Sequence, residues 1–147
     1  MESKANIFAS DISLSALNIA KQNAQYFGAN IEFYLSDVFN EIPNDKRFDI
    51  IVSNPPYLTE EEYLDVDNLL YHEPKNALVA GVKGYEIYER IILEARNRLN
   101  KGGYLFFEIG FEQGDILKNL LFKNGYKEIE IKKDYGNKDR IVIASLK

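Results

Sequence analysis

The residues with the clearest chemical content are Asn54-Pro55-Pro56-Tyr57. Consecutive prolines lack backbone N–H groups and fix φ, so they hold the preceding backbone extended and leave carbonyls without ladder partners. The carbonyl of Pro55 becomes a fixed acceptor, and the side-chain carbonyl of Asn54 supplies a second beside it. Two acceptors aimed at one point suit a planar –NH2 group: they hold its hydrogens while its nitrogen faces a reacting atom. Tyr57 adds an aromatic face for a flat amide or base. No strong base belongs to this group, so it fits a reaction driven by positioning and desolvation. The plain alternative is a strand-ending turn, but the tetrapeptide directly follows the apolar strand Phe48 to Ser53, which is a more specific context than a loop dipeptide needs. Two acids accompany it. Asp11 can accept two hydrogen bonds from a ribose diol, and Asp37 can accept one from an adenine exocyclic amine. Taken singly, Asp11 reads as a helix-capping carboxylate and Asp37 as a turn residue. At the tips of consecutive strands, each strengthens the other.

The elements that must position these residues alternate between strand and helix signals. Ser10-Asp11-Ile12-Ser13 can cap a helix in which Leu17, Ala20, Ala24 and Phe27 recur at helical spacing, with a stop at Gly28 to Asn30. Ile31 to Leu35 reads as a strand ending at Ser36-Asp37, and Phe48 to Ser53 as a more deeply buried one, its β-branched residues being consecutive. Thr59 with Glu62 forms a capping box for a short helix over 60–70; Glu60-Glu61-Glu62 is its solvated first turn. Gly84 to Leu99 reads as a helix striped by Tyr88, Ile91, Ala95 and Leu99, stopped by Asn100-Lys101-Gly102-Gly103. Tyr104 to Ile109 is a strand, Ile116 to Leu121 marks a helix ending at Asn124-Gly125, and Tyr126 to Lys132 pairs with Arg140 to Leu146 across the loop 134–139. This order predicts an α/β fold: a mostly parallel sheet covered by helices on both faces, closed by an antiparallel hairpin. Ligands in such sheets sit beyond the carboxyl ends of the strands, where Asp11, Asp37 and Asn54-Pro55-Pro56-Tyr57 fall.

Composition narrows the classes. The chain has 147 residues, 18 Lys and Arg against 23 Asp and Glu, a net charge of −5, no cysteine and one histidine. Disulfide scaffolds, thiolate nucleophiles and Cys- or multi-His metal centres are excluded, and no metal is expected. His72, beside Glu73 in a polar loop, is not expected to act in catalysis. The acidic balance argues against sequence-blind adhesion to nucleic acid. No stretch reaches the roughly 18 apolar residues of a membrane span, so no membrane partner is expected and a cytoplasmic location is the simplest. No repeat, low-complexity tract or linker divides the chain, which reads as one unit over 1–147.

Ile51-Val52-Ser53-Asn54-Pro55-Pro56-Tyr57 resembles motif IV of the S-adenosylmethionine-dependent amino-methyltransferases. More narrowly, the chain is similar to the HemK/PrmC family, the protein-(glutamine-N5) methyltransferases of peptide chain release factors. Ser10-Asp11-Ile12-Ser13, Ser36-Asp37-Val38-Phe39, Glu73-Pro74 with Ala77-Leu78, Gly81 with Gly84, Glu108-Ile109-Gly110 with Gln113, and Asp139-Arg140 match in order. The resemblance implies a Rossmann-like class I S-adenosylmethionine-dependent methyltransferase fold and methylation of the glutamine of a Gly-Gly-Gln motif, a step belonging to translation termination. It implies S-adenosyl-L-methionine as cofactor, with Asp11 on the ribose, Asp37 and Val38 bordering the adenine, and Asn54 touching both the methionine end and the substrate. Asn54, Pro55, Pro56 and Tyr57 would hold the glutamine amide and form the catalytic group. Glu73 and Arg140 remain scaffold residues.

The family opens its catalytic domain with a strand and a glycine-rich loop, preceded by a small helical domain. Ten residues precede Asp11, and all nine glycines stand at Gly28 or later. The expectation is therefore a truncated catalytic domain whose first central strand is absent, which binds the cofactor weakly, is inactive alone, and self-associates through the exposed sheet gap. Two other readings stay open. An adenine-N6 methyltransferase on DNA or RNA would use the same acceptors, although the charge of −5 makes nucleic acid the poorer direct substrate. A non-catalytic remnant would keep the fold only as a binding or structural module.

Overall fold

The computed structural model describes residues 5–64 and 74–147, which fall into two compact units, 1–46 and 47–147. His72 and Glu73 lie outside the described residues.

The first unit contains β1 (Ile7–Asp11), α1 (Leu14–Tyr26) and β2 (Ile31–Leu35), with β1 and β2 parallel and Asp11 opposite Leu35. Helix α1 starts where the sequence offers a cap. The Ser13 hydroxyl accepts from the Ala16 N–H at 3.2 Å, and Asp11 Oδ1 accepts from the Ser13 N–H at 2.7 Å. Leu17 and Ala24 are the buried residues of α1, and Phe39 and Ile42 in the segment after β2 are buried as well.

The second unit holds a four-stranded sheet in the order β3-β6-β8-β7, made from β3 (Phe48–Ser53), β6 (Leu99–Glu108), β7 (Lys127–Lys133) and β8 (Asp139–Leu146). β3 runs parallel to β6, and β8 runs antiparallel to both its neighbours. Between β3 and β6 lie β4 (Leu58–Thr59), α2 (Glu60–Leu64), α3 (Lys75–Leu78), β5 (Val79–Gly81) and α4 (Glu86–Ala95); α5 (Gly114–Lys123) follows β6. β4 and β5 form a small parallel pair of their own. The Thr59–Glu62 capping box forms as expected, with Glu62 N–H donating to Thr59 Oγ1 at 3.1 Å and Thr59 N–H donating to Glu62 Oε2 at 2.7 Å.

Alternation along β6 sorts the two faces of this sheet. Leu105, Phe107, Val142 and Ala144 are buried, as are Tyr88, Ile91, Ile92 and Ala95 of α4 and Leu117 and Leu121 of α5. The Tyr88 ring meets Phe107 edge-on at 5.1 Å, and the Tyr126 hydroxyl donates to the Ile92 carbonyl at 2.9 Å. The opposite face differs from the expectation of helices on both sides. Ile50 is 59% exposed, Val52 74% and Tyr104 40%. The strand that the resemblance places between those ending at Asp11 and at Asn54 has no counterpart among the described residues, where β1 pairs only with β2 and β3 only with β6.

A second difference concerns residues 100–103, expected to stop a helix and found instead in β6. Leu99 pairs with Phe48, and Asn100 Nδ2 donates to Asp49 Oδ1 at 2.8 Å, so a cross-strand bond replaces the local stop. No described helix is long and apolar enough to cross a membrane.

Candidate functional site

The first unit brings Asp11, Asp37 and Val38 to one end of its parallel pair. The Ser36 N–H donates to the Asp11 carbonyl at 3.0 Å, which ties the tip of β1 to the residue just beyond β2. Asp11 is exposed, and its bond to the Ser13 N–H fixes one carboxylate oxygen and orients the group. The capping and binding readings of Asp11 are thus compatible, since a carboxylate has a second oxygen to offer.

Val38 has φ = +54°, a left-handed conformation that a β-branched residue rarely adopts. Such a residue costs on the order of 1–3 kcal/mol and persists only where its surroundings enforce it. Ser36 supplies the enforcement. Its buried hydroxyl donates to the Val38 carbonyl at 3.1 Å and accepts from the Glu41 N–H at 3.0 Å. The sequence marks Ser36 only by its position between a strand and Asp37.

The second unit carries Asn54, Pro55, Pro56 and Tyr57 just beyond the carboxyl end of β3. Asn54 is exposed, Pro55 is buried, and Pro56 and Tyr57 are half-buried. The turn is anchored from a distance. Gln113, the residue before α5, donates through Nε2 to the Tyr57 carbonyl at 3.0 Å and to the Gly84 carbonyl at 2.9 Å, while its Oε1 accepts from the Gly110 N–H at 3.0 Å. Two glycines let the backbone pass close to the turn, Gly84 leaving no room for a side chain and Gly110 leaving little. A Cβ on Gly84, which has φ = +78°, would stand 2.8 Å from the Tyr57 carbonyl oxygen, and one on Gly110 would stand 3.3 Å from Tyr57 Cδ2.

Three side chains of this unit have proton affinities shifted from their ordinary values. Burial pushes the Tyr88 hydroxyl well above its ordinary value, and it donates to the Glu108 carbonyl at 2.7 Å. Arg140 donates to Asp134 Oδ2 at 3.2 Å and to the Ile109 carbonyl at 3.3 Å; the Asp134 bond raises its pKa further. Arg140 therefore acts as a strut between the β7–β8 turn and the end of β6. At the start of α4, burial of the Glu86 carboxyl is outweighed by backbone N–H groups, chiefly that of Lys83 at 2.8 Å and also that of Tyr85 at 3.1 Å, so its pKa is lowered. The chemistry available at the turn is acceptance of hydrogen bonds and orientation of a bound group.

A family profile described as "Methyltransferase small domain" matches residues 1–83. The chain is 42% identical over 141 residues to a release factor glutamine methyltransferase of Enterococcus faecalis, covering 94% of this chain and 50% of that protein. It is 40% identical over 143 residues to the protein of the same name from Bacillus subtilis, covering 95% of this chain and 49% of that one. The chain thus spans about half the length of these relatives. Among solved structures, a methyltransferase from Pyrococcus furiosus superposes with a TM-score of 0.67 at 20% identity, over 95% of this chain and 62% of that one. A 16S rRNA N2 G1207 methyltransferase from T. thermophilus, described in complex with AdoMet and guanosine, gives 0.68 at 16% identity over 97% and 32%. These likenesses place the fold among the class I S-adenosylmethionine-dependent methyltransferases.

Proposed function

Because the chain belongs to the methyltransferase small domain family, we propose that it serves transfer of a methyl group from S-adenosylmethionine to the side-chain nitrogen of a glutamine in a release factor, with the Asn54–Tyr57 turn meeting the substrate amide and, separately, the strand tips at Asp11 and Asp37 meeting the nucleoside. The observation that carries this reading is the Asn54–Tyr57 turn, exposed at Asn54 and pinned at Tyr57 by Gln113. A glutamine amide offers two hydrogens to the Asn54 and Pro55 carbonyl oxygens, which leaves its nitrogen facing the donor's methyl carbon. S-adenosylmethionine, when bound, would supply the methyl group from its sulfonium centre, its sulfur departing as a neutral thioether while one amide proton passes to solvent. No ionised base is required beside the nitrogen if the acceptors polarise the N–H bonds as the new bond forms.

The residues of the first unit fit the nucleoside end of the cofactor. The second oxygen of Asp11 suits a ribose hydroxyl, and the fixed Ser36–Val38 turn offers Asp37 and an apolar edge at Val38 to an adenine. The relatives' printed name supplies the release factor as substrate class; the cytoplasm is the compartment in which such a substrate is met.

The test uses a polypeptide of the relatives' full length containing these residues, incubated with isotope-labelled S-adenosylmethionine and either a release factor or an adenine-containing DNA duplex. The expected result is label on the release factor alone, with Asn54→Ala lowering kcat by about 10²-fold through lost alignment. Label on DNA alone overturns the choice of substrate.

A further inference from the structure

We propose that Gln113 is a positioning residue for the Asn54–Tyr57 turn, acting through the backbone carbonyl of Tyr57. This inference rests on the reading of that turn as the site that holds an amide. The two prolines stiffen the turn from within, but they cannot set where its far end points, because neither has an N–H with which to hold a neighbouring strand. The far end is set by the Gln113 side chain. Its orientation is forced, since two carbonyls, those of Tyr57 and Gly84, need a donor, and the Gly110 N–H needs an acceptor. One planar amide thereby joins the residue after the prolines, the loop before α4 and the turn after β6.

The base of this clamp is rigid. The Gln113 N–H donates to the Gly110 carbonyl at 3.0 Å, and the Gln113 carbonyl accepts from Leu117 of α5 at 3.0 Å. The surroundings are shaped to the amide: a Cβ on Gly110 would stand 3.2 Å from Gln113 Oε1, and one on Gly84 would stand 3.4 Å from Nε2. A site that works by aligning acceptors is sensitive to such support, because a misplacement of about 1 Å costs about 10²-fold in rate.

Gln113→Glu is nearly the same shape. It keeps an acceptor for Gly110 but turns the donor into a second acceptor facing two carbonyls. Protonating the new carboxyl returns one donor, so its defect should be relieved by acid. Gln113→Leu keeps the bulk and has no donor at any pH. Hydrogen–deuterium exchange of the whole chain, with each variant compared with wild type at the same pH, reads the turn directly. For Gln113→Glu at pH 7, amides of residues 57–59 should exchange about tenfold faster or more, while those of β6 stay within about threefold. Near pH 5 the excess should shrink for Gln113→Glu and persist for Gln113→Leu. In methyl transfer by the full-length polypeptide, both variants should lower kcat by about tenfold or more at pH 7, with KM within about threefold.

Exchange at residues 57–59 equal to wild type, equal loosening of β6, or a Gln113→Glu defect indifferent to acid each overturns the proposal. Should Gln113→Glu unfold the chain, Gln113→Leu decides by the same comparison of residues 57–59 with β6. If the wild-type polypeptide methylates no release factor, the amide-holding reading fails while the exchange measurements still decide the role of Gln113.

Discussion

At the scale of single residues, two side chains missed as site residues matter as much as those singled out. Ser36 holds Val38 in its left-handed conformation through one buried hydroxyl. Ser36→Ala leaves the Glu41 N–H and the Val38 carbonyl without that hydroxyl, and each hydrogen bond lost costs about 0.5–1.5 kcal/mol net. Urea denaturation should register a loss of about 1–2 kcal/mol, and a change below about 0.3 kcal/mol would show that Val38 is held by something else. The residues carrying the resemblance, Asp11, Asp37, Val38 and Asn54 to Tyr57, are recognisable in the sequence because each stands at a strand end. What could not be read was how they are held. Nothing in a valine announces a positive φ, since its side chain disfavours one, and nothing local ties Gln113 to a carbonyl 56 positions earlier.

At the scale of elements, legibility follows length and periodicity. β2 over Ile31–Leu35 and β3 over Phe48–Ser53 match the sequence reading in extent, because four of five and four of six of their residues are apolar, but β3, expected to be the more deeply buried, has no buried residue. The pair β4 and β5 and the single turn of α3 have no signal in the sequence, because two to four residues carry no period. The loop from Gly81 to Tyr85 makes the strongest element-level prediction, since its backbone N–H groups grip the Glu86 carboxylate at the start of α4. The folded pKa of Glu86 lies below its ordinary value. Ionised Glu86 therefore adds stability that is fully present above the unfolded value of about 4.3 and is lost as the pH falls through the lower folded value. Thermal midpoints measured from pH 6 down to pH 3 should fall more steeply for wild type than for Glu86→Gln. Parallel curves for the two proteins would remove Glu86 from the account of acid sensitivity.

At the scale of the whole molecule, the uncovered face of the four-stranded sheet stands out. Ile50 and Val52 project from β3 beside their ladder partners Tyr104 and Phe106, and exposed apolar groups gathered on one face of a sheet favour association. Sedimentation velocity at tens of micromolar is expected to show concentration-dependent association that Val52→Lys reduces. A wild-type chain that sediments as a monomer throughout would sink that expectation.

The parallel pairing of β3 with β6 also has a consequence for the order in which the turn is made. The chain emerges from the ribosome from its N-terminus at about 5–20 residues per second, so Tyr57 appears roughly 3–11 s before Gln113, its partner 56 positions later. Until then neither β6 nor the clamping amide exists, and Asn54-Pro55-Pro56-Tyr57 is a stiff peptide with no fixed direction. The acceptors are made first and acquire their aim only once β6 and Gln113 have followed them out.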